Sequence, residues 1–343
     1  MLPYILLAIY LLICILLSFI LKRKKSILLI IGLSLFCALK GIEVGSDNYM
    51  YETIYETLSD YKASRFYGSL EFGFIYLGYI FNKIGLSYFY FVFFLTFLYL
   101  YSFNKLNKKI SENYYLSWII FLFFAHYTFI FNGLRQAVAI GLCWLSLYAF
   151  LNKKILYTIL LIFIALMFHT SAVIFSIVIL FFYIKHIYRK YFSILWTIFF
   201  IFGINLIFGF AGQINERYEG YAEFKSEDTG VGALFFLFFN LIALFLFSKI
   251  LKIKNESFYI MLNILYLGFV IVFSSFLYGF SASGLMRLSR YFVWTLIFLW
   301  PIIFLKIDMK YRPLCYLIFT LFAFFYYLLA TYSYGELVPY YIG

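Results

Sequence analysis

LPYILLAIYLLICILLSFIL, residues 2–21, carries no charged side chain and runs directly into Lys22, Arg23, Lys24 and Lys25. An apolar helix of about 20 residues matches the roughly 30 Å hydrocarbon thickness of a bilayer. No basic stretch precedes the run and no small-residue cleavage site follows it, so it reads as a first membrane span and not as a cleaved leader. Comparable runs recur along the chain, which has 343 residues, 66% of them hydrophobic, 26% aromatic and 12% charged. That balance lies outside the range of soluble domains.

The expected fold is an all-α polytopic membrane protein, with residues 1–343 forming a single integral membrane domain. About 12 transmembrane helices are expected, near 2–21, 26–42, 86–103, 114–131, 135–152, 155–170, 171–188, 192–211, 232–250, 257–279, 291–306 and 313–334. The segment LEFGFIYLGYIFNKIG, 70–85, is too short and too glycine-rich for a span, and reads as an interfacial or re-entrant piece.

Charge supports this alternation. One side receives the 22–25 cluster, Lys105, Lys108, Lys109, Lys153, Lys154, Lys185, Arg189, Lys190, Lys249, Lys252, Lys254, Lys306, Lys310 and Arg312, which is 18 of the 27 Lys and Arg residues. The same side holds Glu112, Glu256 and Asp308 of the 15 acids. The positive-inside rule makes that side cytoplasmic, with both ends of the chain outside. Counting 70–85 as a full span would invert every later loop and destroy the pattern. The outer face is then acidic, with two substantial loops, 43–69 and 212–231, that mix tyrosine with carboxylates. Such surface suits sugars, because rings stack on pyranose faces while carboxylates accept from hydroxyls. An aromatic belt with solvated loops is the plainer explanation.

The net charge of +12 is accounted for by loop lysine and implies no nucleic acid partner. Cys14, Cys37, Cys143 and Cys315 all fall in apolar runs without metal or redox spacing, and read as small packing residues. Phosphate-loop, dinucleotide and zinc-hydrolase motifs are absent, so no cofactor is expected.

The polar residues that remain converge. Arg135 and Gln136 in FNGLRQAVAI, 131–140, open the fifth span on the outer side. His169 in MFHTSAV lies between two spans on that side. Arg287 and Arg290 in SGLMRLSRYF begin the eleventh span and, three apart, share a helix face. Glu43, Asp47 and Glu71 lie on the same side. Each has an ordinary alternative: an edge arginine can snorkel to headgroups, and a loop carboxylate or interfacial histidine can simply be solvated. Together they describe a site in which arginines grip pyrophosphate oxygens, while a histidine or carboxylate deprotonates an attacking hydroxyl. No DxD pair is present to hold a divalent metal, so arginine would neutralise the leaving group itself.

These strings resemble the EpsG/Wzy-type polysaccharide polymerases. GSDNYMY resembles that family's GxDxxxY (Gly45, Asp47, Tyr51), and LEFGF its EPGF (Glu71, Gly73, Phe74). LRQAVA resembles RQxxA (Arg135, Gln136, Ala139), and FHTSA an FHxSA-like motif (Phe168, His169, Ser171, Ala172). RLSRYF resembles RxxxYF (Arg287, Tyr291, Phe292), and VPYY a terminal PYK. Order and spacing hold from about residue 40 to 340, with Lys40 standing where the family often has arginine, Phe72 replacing a proline and Tyr341 a lysine.

The resemblance implies a multi-pass glycosyltransferase of the bacterial cytoplasmic (inner) membrane. It would polymerise undecaprenyl-pyrophosphate-linked repeat units into O-antigen, capsule or exopolysaccharide at the outer face. Expected partners are the lipid-linked glycan donor and acceptor, membrane lipid and a chain-length regulator protein. Arg135, Arg287, Arg290 and Lys40 are expected to bind pyrophosphate, and Tyr51 and Tyr291 to contact substrate. Gln136 and Glu71 would orient the reacting groups. His169 or Asp47 would be the base, and the sequence does not choose between them. A lipid-linked-oligosaccharide flippase, a non-catalytic synthase subunit and a ligase using the same donor are the competing readings. A transporter would need polar groups along a two-sided pathway.

Overall fold

The computed structural model describes residues 1–21, 26–59, 70–203, 230–280 and 284–343. The basic cluster 22–25, residues 60–69 of the first outer loop and residues 212–229 of the second lie outside the described residues. Where backbone is buried in apolar surroundings its N–H and C=O groups must be satisfied internally, and helices do so within one segment. Helix accordingly dominates, and among the described residues the one β-type pairing is an isolated bridge between Lys40 and Ile342.

Two compact units of the chain are distinguished. The first comprises Met1–Val173 and Pro313–Gly343, the second Ile174–Arg312. In the first, α1 is Leu2–Ile20, α2 Ser26–Ala38, α3 Asn48–Glu56, α4 Phe72–Lys83, α5 Tyr88–Ile110, α6 Tyr114–Phe123, α7 Leu134–Leu151 and α8 Ile155–Phe168. In the second, α9 is Phe175–Tyr183, α10 His186–Phe202, α11 Val231–Ile250, α12 Glu256–Leu277, α13 Met286–Val293 and α14 Leu296–Lys306. The last helix, α15, Arg312–Ser333, lies almost wholly in the first unit.

Among the described residues seven helical stretches are long and apolar enough to cross a membrane: α1, α5, α7, α11, α12, α13 with α14, and α15. The other five expected spans fall on α2, α6, α8, α9 and α10, which are shorter in the described residues. The multi-pass helical class is therefore met, and the expected number of about 12 is supported for seven. The demoted segment 70–85 is the 12-residue α4. At 1.5 Å per residue it reaches about 18 Å, short of a bilayer core.

The first unit is organised around α7. Of its span 72% is buried, against 17% for α15, so α7 is central and α15 peripheral. It packs between α5 and α8, and Trp144 stacks on Tyr99 of α5 at 5.1 Å between ring centroids. The ring of Tyr327 on α15 stacks on Phe123 of α6 at 5.5 Å, and its hydroxyl donates to the Tyr4 carbonyl of α1 at 3.2 Å. Asn113 caps α6 by accepting from the Leu116 N–H at 3.1 Å, which satisfies one of the orphan donors of the first turn.

In the second unit the Trp300 indole donates to Asn240 at 2.9 Å, joining α14 to α11. Arg189, opening α10, donates to the Phe181 carbonyl at 3.0 Å and to Glu256 at 3.2 Å. The helix expected near 291 begins five residues earlier, at Met286, so Arg287 and Arg290 both lie within it.

Because Trp144 is 1% exposed and its ring fills the α5–α7 seam, Trp144→Ala leaves a large void. The expected outcome is a loss of about 3–5 kcal/mol of stability, read as a lower melting temperature of the purified protein in detergent.

Candidate active site

Arg135 stands in the first turn of α7, a helix otherwise almost wholly apolar. Its guanidinium Nη1 is ion-paired with the Glu71 carboxylate, and the two side chains are 15% and 14% exposed. Charges this enclosed need a partner, since an unpaired one would be costly to desolvate. A second contact comes from Tyr51, whose ring centroid lies 6.0 Å from the guanidinium carbon, within cation–π range. Tyr51 is itself buried and packs on Phe74 of α4 at 5.6 Å.

Glu71 reaches Arg135 because α4 starts one residue later, with Glu71 as its extended cap residue. That helix start presses on the end of α8. A Cβ placed on Gly73 would come within 2.8 Å of both the Cβ and the carbonyl oxygen of Met167. Met167 is two residues from His169, so the first turn of α4 packs against the last turn of α8.

His169 ends α8 in an extended conformation and is half-buried. Ser171 Oγ lies 2.6 Å from its Nδ1, and the Ser171 N–H is directed at the same nitrogen at 3.4 Å. Ser171 thus fixes the ring plane. It was visible in the FHTSA string only as a motif position, and the local turn gives it its role.

Asp47 caps α3, and its main-chain carbonyl accepts from the Tyr51 N–H at 3.1 Å. One helical turn therefore separates the half-buried Asp47 from the ring that covers Arg135. The turn before it requires glycine. Gly45 has φ of +96°, and a Cβ there would meet Asn132 Oδ1 at 2.6 Å and the Phe131 carbonyl oxygen at 2.9 Å.

Lys40 lies two residues beyond α2. The helix stops at Ala38, short of the expected 42. Its ammonium donates to the Phe131 carbonyl at 3.1 Å and sits 5.3 Å over the Phe131 ring. Burial pushes the Lys40 amine down to about 8, against the opposing pull of Cys37, Asp47 and Glu52. Burial, helped by Glu56, pushes the Glu52 carboxyl up. Gln136, beside Arg135, is buried in α7.

One set of the expected residues, Lys40, Asp47, Tyr51, Glu71, Arg135, Gln136 and His169, is thus carried by the first unit. Arg287, Arg290 and Tyr291 belong to the second and are described by themselves. Both arginines are half-buried on the eight-residue α13, and Tyr291 is fully buried. Among the described residues no group of three or more His, Cys, Asp or Glu side chains is arranged to hold a metal ion.

The Arg135–Glu71 pair sets a stability test. Glu71→Ala leaves a guanidinium enclosed without its carboxylate, and a loss of about 3–5 kcal/mol is expected. Glu71→Ala combined with Arg135→Ala removes both charges and is expected to cost less than the two single changes added together, as thermal unfolding in detergent would read.

Comparison with known proteins adds the family. The model of the EpsG family matches residues 24–342. No curated protein and no solved structure matches the chain. The matched region includes every motif that carries the ion pair, the histidine turn and the two-arginine helix, and the chain belongs to the EpsG family, a membership that points to polysaccharide polymerisation.

Proposed function

We infer that the protein is a glycosyltransferase that polymerises undecaprenyl-pyrophosphate-linked oligosaccharide repeat units at the outer face of the bacterial cytoplasmic membrane. The observation that carries this reading, beside family membership, is the enclosed Arg135–Glu71 pair roofed by Tyr51, with Glu71 at the head of the helix that packs against the end of α8. A cation, a nearby base and an aromatic face are what transfer of a sugar from pyrophosphate to a hydroxyl requires.

In the proposed reaction a hydroxyl oxygen of the acceptor repeat attacks the anomeric carbon of the growing chain. The anomeric carbon–oxygen bond to pyrophosphate breaks, and undecaprenyl pyrophosphate leaves with the bonding pair. The hydroxyl proton passes to His169 or to Asp47. Arg135 stabilises the charge that develops on the leaving oxygens, so no divalent ion is called for in this reading. Glu71 and Gln136 hold Arg135 in place, and Tyr51 offers a sugar-stacking face. O-antigen, capsule and exopolysaccharide are all compatible products, and a chain-length regulator is a compatible partner.

Purified protein in nanodiscs, given intact lipid-linked repeat units, is expected to produce a ladder of longer glycans that persists in EDTA. Absence of a ladder with the cognate substrate would remove the polymerase reading in favour of a flippase or an accessory subunit. Arg135→Lys keeps a charge beside Glu71 but loses the two-pronged donor geometry, and is expected to lower kcat about 100-fold or more. Of His169→Ala and Asp47→Asn, the variant that lowers kcat by about 100- to 10,000-fold and abolishes the acidic limb of the pH–rate profile identifies the base.

A further inference from the structure

Segment 335–343 lies far from the site in sequence and against it in space. Gly45 N–H donates to the Glu336 carbonyl at 3.0 Å, and Ser46 N–H to the Gly335 carbonyl at 3.2 Å. The Asn132 amide donates to the same Gly335 carbonyl at 3.0 Å. Gly41 N–H donates to Tyr341 at 2.8 Å, and Gly343 N–H returns to Leu39 at 3.1 Å, on either side of the Lys40–Ile342 bridge. Tyr340 anchors the segment to α2, stacking on Phe36 at 4.5 Å and donating its hydroxyl to the Phe36 carbonyl at 2.6 Å. One strand of chain thus ties together the Gly45–Asp47 turn and the Phe131–Gly133 turn from which α7 and Arg135 begin.

Lys40 completes the tie. It is 8% exposed, and among the described residues no carboxylate lies within ion-pair distance of its ammonium. One of its three N–H donors goes to the Phe131 carbonyl, a main-chain group of a buried residue. An ammonium covered by its own chain and aimed at a carbonyl four residues before Arg135 is placed to hold the turn that starts α7.

We propose that Lys40 and the 335–343 segment form a clamp, in which Lys40 is a positioning residue for Arg135 and not a ligand of the substrate's anion. The proposal deepens the polymerase reading above and rests on it for its kinetic test. Its structural test is independent of that reading.

Three variants are compared with the wild type by the glycan-ladder assay and by hydrogen–deuterium exchange. Lys40→Met removes the donor. Lys40→Arg keeps it. Gly335→Ala puts a Cβ into the Asn132 amide at a backbone φ of +63°, which strains the segment where it meets Asn132 without altering any charge. Lys40→Met and Gly335→Ala are both expected to lower kcat by about 10- to 100-fold with little change in KM, the size of effect that a misplaced positioning group produces. Combined with Arg135→Lys, neither is expected to add a comparable further loss, since each acts through Arg135. Lys40→Arg is expected to restore kcat.

The pH profile gives a separate readout. In the folded chain the Lys40 ammonium is lost near pH 8, whereas an ordinary lysine holds its proton to about 10.5. Cys37 on α2, Asp47 in the following turn and Glu52 on α3 are the charged or titratable groups that act on it. The native state binds fewer protons than the unfolded state between these values, so this group's contribution to stability rises with pH there, while its hydrogen bond to Phe131 weakens. The wild-type rate is therefore expected to fall as pH rises through about 8, and Lys40→Arg to abolish that fall.

Amides 41–47 and 131–134 are expected to exchange faster in Lys40→Met and Gly335→Ala, and at the wild-type rate in Lys40→Arg. Unchanged exchange in both disrupting variants would overturn the clamp even if the protein polymerises glycans. Losses from Lys40→Met and Arg135→Lys that multiply, together with a raised KM, would instead make Lys40 a direct ligand. If the wild type makes no ladder, the function reading falls, and the exchange result alone decides the clamp.

Discussion

A guanidinium at the head of an apolar helix has to be neutralised where it stands, and the surrounding segments are arranged to do that for Arg135. Glu71 can reach it only if α4 begins at Phe72 and lies against the end of α8, and the glycine at 73 allows that approach. Tyr51 can cover it only if α3 starts immediately after Asp47. The ion pair is enclosed but not sealed: each partner keeps about a seventh of its surface, with 15% and 14% exposed. Fully buried pairs contribute little net stability because desolvation offsets attraction. This one sits at a helix end, where part of that desolvation is avoided and a ligand can approach.

The division of labour between long and short elements follows from the same constraint. Long helices such as α5 and α7 bury aromatic seams and satisfy their own backbone, which makes them a stiff frame. The short elements leave main-chain groups that need outside partners, and polar side chains are spent on them. Asn48 donates to the Gly41 carbonyl at 3.0 Å, Tyr4 to Leu337 at 2.7 Å, Asn132 to Gly335 and Lys40 to Phe131. Much of the polarity near the site is therefore structural. The candidate site residues Arg135 and His169 instead meet side chains, Glu71 and Ser171.

Hydropathy and charge alternation in the sequence located the helices and kept 70–85 from being counted as a span, because both depend on side-chain composition alone. The motif strings brought Glu71 and Arg135 into one site although 64 residues separate them. Other features left no trace in composition. Whether an apolar run forms a helix of 13 residues or 20 depends on where a main-chain turn finds a partner, as α2 ends at Ala38 and the chain turns at Lys40 to meet Ile342. The role of 335–343 rests on backbone hydrogen bonds, which no side-chain pattern encodes. Lys40 reads as a free cation in sequence because nothing there says that a carbonyl 91 residues away will take its proton donor.

Arg135 and Lys40, both in the first unit, differ in what an incoming anion could displace. Arg135 is held by a carboxylate, so on the proposed polymerase reading a pyrophosphate oxygen takes over the same donors, exchanging one ion pair for another. Lys40 offers no such exchange. Its partner is an uncharged carbonyl, and pulling the ammonium away would leave that carbonyl buried and unbonded while loosening the turn that starts α7. On the proposed polymerase reading, the cation with a replaceable partner is the one suited to meet substrate, and the cation with an irreplaceable one is suited to hold it in place.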